Sequence, residues 1–223
     1  MISKNILIIF VKHPQPGLVK TRLAKDIGKR RAASLYKGFV DIIVKRNISS
    51  RFKIIIFYTP SNRENEIRRW LGEKFEYQAQ DGKDLGERIL NAFAFVFAQG
   101  AKKIIIIGTD SPLVGKNVVI KAFTSLENAE CVIGPSYDGG YYLLGLSRFC
   151  KGIFTGIDWG TDRVLQQTVK VLEDLSIKYS LGDADFDIDR LGDLKLFRAS
   201  LRHRKDKDFI LFAPIMAKLD RIK

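Results

Sequence analysis

The sequence predicts an α/β fold, with a mostly parallel central sheet covered by helices on both faces. Three observations predict it. Short apolar runs rich in β-branched residues recur along the chain, segments with helical apolar spacing lie between them, and 46% of the 223 residues are apolar. Alternation of strand and helix implies parallel strands joined by right-handed crossovers.

The first run, residues 5–11 (NILIIFV), is apolar almost throughout, as expected of a strand buried on both faces. Leu35, Phe39, Ile42 and Ile43 then form a helical stripe. Residues 53–59 (KIIIFYT) are the next strand, followed by a helix carrying Ile67, Trp70 and Leu71. Leu85, Ile89, Phe93 and Phe97 recur at intervals of four and predict another helix. Residues 103–108 (KIIIIG) are a third strand. Asp110 and Ser111 stand before a proline, which suits a helix start, with Val118, Val119 and Phe123 inside. A shorter strand, 131–134 (CVIG), precedes a helix with Val164, Leu165, Thr168 and Leu172, for which Thr161 is the candidate cap. No internal repeat or Pro/Gly/Ser-rich linker divides the chain, so residues 1–202 read as one domain and 203–223 as a C-terminal tail. The tail's DFILFAPIMAKL stretch suits either a packing helix or a homodimer contact.

Composition excludes several classes. The ordinary apolar fraction argues against disorder. Two cysteines, Cys131 and Cys150, cannot staple a chain of this length and read as reduced core thiols, which points to the cytoplasm. No apolar run approaches the roughly 20 residues of a membrane span, and the start reads as a strand rather than a signal peptide. The net charge of +13 is uneven: residues 1–60 hold 13 Lys/Arg against two acids, and residues 195–223 hold nine against three. Such asymmetry suits a nucleic-acid surface, a solvated basic face, or an anion pocket in the N-terminal segment. No basic-aromatic RNA signature, zinc-finger spacing or helix-turn-helix pattern accompanies it, so nucleic acid is not the expected partner.

Four polar clusters follow strands, where open α/β sheets bind ligands. In the first, Lys12-His13-Pro14-Gln15-Pro16-Gly17-Leu18-Val19-Lys20-Thr21-Arg22, two prolines and a glycine stiffen a loop that ends in fixed donors. Such a loop suits phosphates. The second is Asp110, directly after an apolar strand, placed either to hold Mg²⁺ or Mn²⁺ against a phosphate or to cap the next helix. The third, Gly134 to Tyr142, contains Asp138, Gly139 and Gly140, which suit a ligand loop or a plain hairpin turn. The fourth is GDADFDIDRLGD, whose alternation places Asp185, Asp187 and Asp189 on one side of an extended segment. Like charges so close call for a cation nearby.

Other chemistries are poorly served. His13 and His203 are the two histidines, and the nucleophile elbow, the dinucleotide fingerprint and the Walker lysine loop are absent. Metal-assisted chemistry on a phosphorylated ligand remains.

The ordered pieces FVKHPQPGLVKTRLA, DGKDLGERILNAF, IIIIGTDSPLV, VIGPSYDGGYYLLGL, FTGIDWGT and FDIDRLGDL resemble a family of small transferases. These are the radical-SAM-associated, arsenosugar-biosynthesis-type glycosyltransferases of the GT-A nucleotide-diphospho-sugar transferase superfamily. Their relatives include 2-phospho-L-lactate guanylyltransferase and molybdenum-cofactor guanylyltransferase. The resemblance runs from residue 10 to about residue 194 and implies a single Rossmann-like GT-A domain. It implies nucleotide binding by Lys12, Gly17, Lys20, Thr21 and Arg22, with Asp81, Gly82, Gly86 and Arg88 shaping the pocket beside Leu85 and Glu87. It further implies metal binding by Asp110 with Asp187 or Asp189, and an acceptor side lined by Asp138, Gly139, Gly140 and Tyr141, with Trp159, Gly160 and Thr161 nearby. Arg22, Lys20 and Asp110 are then the groups that act on the breaking bond. The chain departs from the family at Arg190-Leu191-Gly192, where relatives tend to read Thr-Pro-Glu, while Asp193 and Leu194 remain.

Two transferase readings follow from that resemblance. In one, a glycosyl group moves from a nucleotide sugar to a small acceptor. In the other, a nucleoside triphosphate gives its nucleotidyl group to a phosphorylated acceptor and releases pyrophosphate; the Gly17-x-x-x-Thr21-Arg22-Leu23 spacing resembles that class. A non-enzymatic nucleic-acid-binding protein is the third reading.

Overall fold

A computed structural model describes residues 4–202 and 209–219. Seven strands form one sheet: β1 (Asn5–Lys12), β2 (Lys53–Thr59), β3 (Glu76–Ala79), β4 (Lys103–Ile107), β5 (Cys131–Pro135), β6 (Tyr141–Leu146) and β7 (Tyr179–Leu181). The helices are α1 (Thr21–Ile27), α2 (Lys29–Arg46), α3 (Glu64–Leu71), α4 (Leu85–Ala98), α5 (Lys116–Ser125), α6 (Val164–Asp174), α7 (Leu191–Arg202) and α8 (Phe209–Leu219). Strand order is β3-β2-β1-β4-β6-β5-β7, with β6 antiparallel to both neighbours and every other pair parallel.

Strand alternation sorts the core. In β1, Leu7, Ile9 and Val11 face a layer containing Val40 and Ile43 of α2, Ile67 of α3 and Phe123 of α5. Ile6 and Ile8 face the opposite layer, with Ile89 and Phe93 of α4 and Leu172 of α6. A third cluster joins Leu23 of α1, Leu35 and Phe39 of α2, Phe197 of α7, and Phe212 and Ile215 of α8. Within it, Phe39 and Phe197 meet edge to face at 5.7 Å. The last helix therefore packs on α2; residues 203–208 and 220–223 of the expected tail lie outside the described residues. Cys131 is a free thiol in the core, pushed up to about 12 by burial. Among the described residues, no helix is long and apolar enough to cross a membrane.

The structure decides between two pairs of alternatives left open by the sequence and corrects one expectation, the Thr161 cap. The antiparallel β6 arises because β5 and β6 are joined by residues 136–140, too short for a crossover, so Asp138-Gly139-Gly140 forms a hairpin turn. Ser136 donates its amide to the carbonyl of Gly140 at 3.0 Å across that turn. Helix α5 starts at Lys116 after Gly115, so Asp110 does not cap it. Helix α6 starts at Val164 and receives no side-chain cap: Thr161 instead donates to the carbonyl of Asp158 at 2.8 Å.

Candidate functional site

A cavity of about 570 Å³ opens beyond the carboxyl ends of β1 and β4. Two crossover strands end side by side there, and each hands its next residues to the cavity wall.

After β1, the chain turns through the Pro14–Gly17 loop, where Leu18 donates its amide to the carbonyl of Gln15 at 3.0 Å. Lys20 then stands at the N-cap of α1 in a left-handed conformation (φ 47°, ψ 47°), which is costly for a residue with a Cβ. That turn sends its side chain inward. The ammonium is only 2% exposed, pairs with Asp110, and lies 3.1 Å from Asp189 Oδ1. Arg22, which is exposed, reaches Asp189 Oδ2 at 3.4 Å. Burial opposes the charge on Lys20, but the attraction of Asp110 and Asp189 prevails and its pKa is raised.

After β4 come Thr109, Asp110 and Ser111. The acidic segment reaches them from the far side of the sheet: Ile188 donates its amide to the carbonyl of Asp110 at 3.0 Å. Ser111 donates its hydroxyl to Asp187 Oδ1. Asp193 accepts from the amides of Asp189 (3.0 Å) and Arg190 (2.8 Å) at the start of α7, so the turn forms without the family's Thr-Pro-Glu. Asp185 does not reach the cavity. Its backbone pairs with the hairpin, donating to the carbonyl of Pro135 at 3.0 Å, and its carboxylate accepts from the amide of Phe186.

Burial pushes Asp187 up to about 7; Ser111 and Lys20 pull the other way, while Asp110 and Asp138 add to the rise. The folded protein therefore keeps a proton on Asp187 that the unfolded chain sheds at the ordinary carboxylate pKa. Stability of the metal-free protein falls as pH rises from about 4 towards 7, because the unfolded state binds fewer protons across that window. Asp187→Asn flattens the fall, as measured by urea titration at successive pH values.

Tyr36 of α2 was not singled out in the sequence, because it falls on the stripe of a core helix. Its buried hydroxyl accepts from the Lys12 amide (2.8 Å) and pairs with Thr109 Oγ1 (3.1 Å), tying the ends of β1 and β4 together. Burial raises its pKa, so it remains a neutral donor. Tyr36→Phe should cost about 1 kcal/mol of stability in a denaturant titration. Arg46, donating to the carbonyl of Leu113 at 2.8 Å, and Asn47, donating to that of Val114 at 3.1 Å, hold the loop that follows Asp110.

The opposite wall comes from residues 80–89. Gln80, Lys83, Asp84, Leu85 and Arg88 line the cavity. Asp84 caps α4 by accepting from the Glu87 amide at 2.9 Å, and Glu87 accepts in return from the Lys83 amide at 2.8 Å. Asp81 and Gly82 do not line the cavity; their carbonyls accept from Asn91 and Arg88.

Of the expected acceptor residues, Tyr141 lines the cavity, whereas Asp138, Gly139, Gly140, Trp159 and Thr161 stand behind it. Trp159 stacks on Phe154 and meets Tyr141 edge to face at 6.3 Å. Its indole lies so close to Gly86 that a Cβ there would be 2.0 Å from Nε1. Gly86 thus serves the packing of Trp159 and does not line the cavity.

Asp110, Asp187 and Asp189 supply the hard oxygen ligands that Mg²⁺ or Mn²⁺ prefers. Among the described residues, no three acid, His or Cys side chains converge closely enough to cage a metal alone. One or two carboxylates completed by ligand phosphates are what Mg²⁺ sites commonly use, and these residues fit that arrangement.

The fold and the cavity define a nucleotide-sugar transferase-like α/β protein. The chain belongs to the family described as "uncharacterized protein conserved in bacteria" (DUF2064), whose pattern matches residues 44–161. That stretch contains Asp110 but neither the Lys20 loop nor the later acids. A Desulfovibrio desulfuricans G20 protein with the provisional description nucleotide-diphospho-sugar transferase shares 31% identity, with 99% of each chain covered and a TM-score of 0.90. The 4-diphosphocytidyl-2C-methyl-D-erythritol synthase of Anaerococcus prevotii DSM 20548 shares the fold at 11% identity, with 90% and 100% of the chains covered and a TM-score of 0.58. A Mycobacterium tuberculosis H37Rv protein in complex with manganese does so at 13%, with 86% and 96% covered and a TM-score of 0.51. No curated protein matches the chain.

Proposed function

We propose that this protein is a metal-assisted transferase of the nucleotide-diphospho-sugar type, moving a glycosyl group from a nucleotide sugar to a small acceptor. One observation carries the reading: Lys20, Arg22, Asp110, Asp187 and Asp189 surround a single cavity at the carboxyl ends of β1 and β4. The similarity to the Desulfovibrio protein supports it, and the ordered motifs favour the radical-SAM-associated branch of the superfamily. Residues 1–202 form the catalytic unit in this reading.

Lys12, Lys20, Thr21 and Arg22 bind the diphosphate, and Gly17 shapes their loop. Lys83, Arg88 and Gln80 line the same cavity and would hold the rest of the nucleotide. A divalent metal held by Asp110 with Asp187 or Asp189 would neutralise phosphate oxygens. Arg22 is exposed and next to Asp189, so it is free to follow charge that develops on the leaving phosphate. Tyr141 faces the acceptor, braced by Trp159 and the Asp138–Gly140 hairpin.

Nucleotidyl transfer is the second reading. The Gly17-x-x-x-Thr21-Arg22-Leu23 spacing favours it, because it resembles the loop of that class. Thermal-shift panels of nucleoside triphosphates and nucleotide sugars, with and without Mg²⁺ or Mn²⁺, test both, since a native-state ligand raises the melting temperature by mass action. A metal-dependent shift with a nucleotide sugar supports glycosyl transfer. A preference for a triphosphate, with pyrophosphate released, supports the second reading. No shift with any of them, alongside salt-dependent nucleic-acid binding, overturns both.

A further inference from the structure

Lys20 stands where the acids of the site meet. Its ammonium is nearly inaccessible, is held there by a left-handed backbone, and touches carboxylates from two distant parts of the chain. Asp110 is half exposed and Asp189 a third exposed, so both carboxylates also face the cavity. An ammonium between two carboxylates does electrostatically what a hard cation does in the same place. We propose that Lys20 is an internal substitute for the divalent cation, so that a metal enters this site only together with a polyphosphate.

The charges support such an order. Lys20 and Arg22 already offset Asp110 and Asp189, so a bare dication reaching those two carboxylates would meet two cations beside them. A metal–diphosphate complex brings its own negative charge. In that complex Lys20 would turn from the acids to a phosphate oxygen, and Asp110 and Asp189 would be left to hold the metal. The lysine is placed for both partners, because it lines the cavity as well as pairing with the acids. The inference rests on the metal-assisted reading above and adds an order of binding to it.

Equilibrium dialysis of the full chain against Mn²⁺, with and without inorganic pyrophosphate, tests it by reading excess Mn²⁺ on the protein side. Wild type should bind Mn²⁺ alone weakly and bind it well with pyrophosphate. Lys20→Met should bind Mn²⁺ alone about tenfold more tightly, because a repelling charge has gone. The same variant should lose most of the enhancement by pyrophosphate, and adding Asp110→Asn should cancel its gain. Lys20→Gln gives an independent second variant. If either variant melts early in metal-free buffer, Mn²⁺ alone should restore its melting temperature, and absence of that rescue counts against the proposal. Equal or weaker Mn²⁺ binding by Lys20→Met overturns the proposal, while pyrophosphate-dependent uptake by wild type leaves the transferase reading standing. If wild type takes up no Mn²⁺ under either condition, both fall.

Discussion

Asp110→Asn lowers turnover by about a hundredfold, equivalent to roughly 3 kcal/mol of transition-state stabilisation, once a donor and acceptor are in hand. The carboxylate sits at the end of β4, takes no part in capping α5, and is half exposed to the cavity. Its backbone carbonyl, which holds Ile188, is untouched by the substitution, so the acidic segment stays in place. The loss should therefore appear in turnover with the far-UV spectrum unchanged, while the urea midpoint falls because buried Lys20 keeps only Asp189 as its partner. A variant with unchanged turnover would remove Asp110 from the chemistry and with it the metal role assigned to β4's end.

Gly139→Ala should be the most destabilising single-methyl change near the site, by about 2–6 kcal/mol. Two penalties act together. Gly139 has φ +87°, a region that costs an L-residue about 1–3 kcal/mol. An added Cβ would also lie 2.0 Å from the carbonyl oxygen of Asp162, a backbone atom that cannot simply rotate away. Overpacking of that kind costs about 1–3 kcal/mol more. The hairpin would have to separate from the start of α6, breaking the bond from the Leu165 amide to the Gly139 carbonyl (2.9 Å). A drop of about 10 °C in melting temperature is the expected readout for a chain of this size. Gly140→Ala is the matched control: its Cβ would meet only Ser136 Oγ and Asp138 Oδ1, at 3.3 and 3.4 Å. If both variants melt with wild type, the packing of this hairpin is not what fixes it.

The fold was legible where strands are buried on both faces. Ile54 to Tyr58 in β2 and Ile104 to Ile107 in β4 are core residues, and their unbroken apolar runs mark them out. Glu76 to Ala79 and Tyr179 to Leu181 were not legible, because these edge strands are short and largely unburied on one side. β6 was hidden for another reason. Its Tyr-Tyr start follows the Gly-Gly turn directly, and composition does not announce that a strand will run backwards between two parallel ones.

In the site, charged residues after strands were visible: Lys20, Arg22, Asp110, Asp187 and Asp189 are brought to one cavity. Residues whose polar tip is carried by an apolar body were not. Tyr36 looks like core, and Gln80 like an ordinary loop residue, until the ends of β1, β2 and β4 are set side by side. Trp159 and Gly86 show the opposite case: the resemblance implies places for them beside a ligand, and the structure packs them against one another, off the cavity wall.

The contact between Lys20 and Asp189 joins residues 169 positions apart in the chain. Closing a loop of that length carries an entropic cost that local helical contacts do not. During synthesis, the Lys20 loop leaves the ribosome long before the acids that complete its surroundings. Until β7 and the segment beyond it have docked, Lys20 has no Asp189 to meet, and the cavity has one wall missing. A chain that ends before Asp187 thus lacks two of the three acids, Asp110, Asp187 and Asp189, that this cavity gathers, so the site is complete only with the last quarter of the polypeptide.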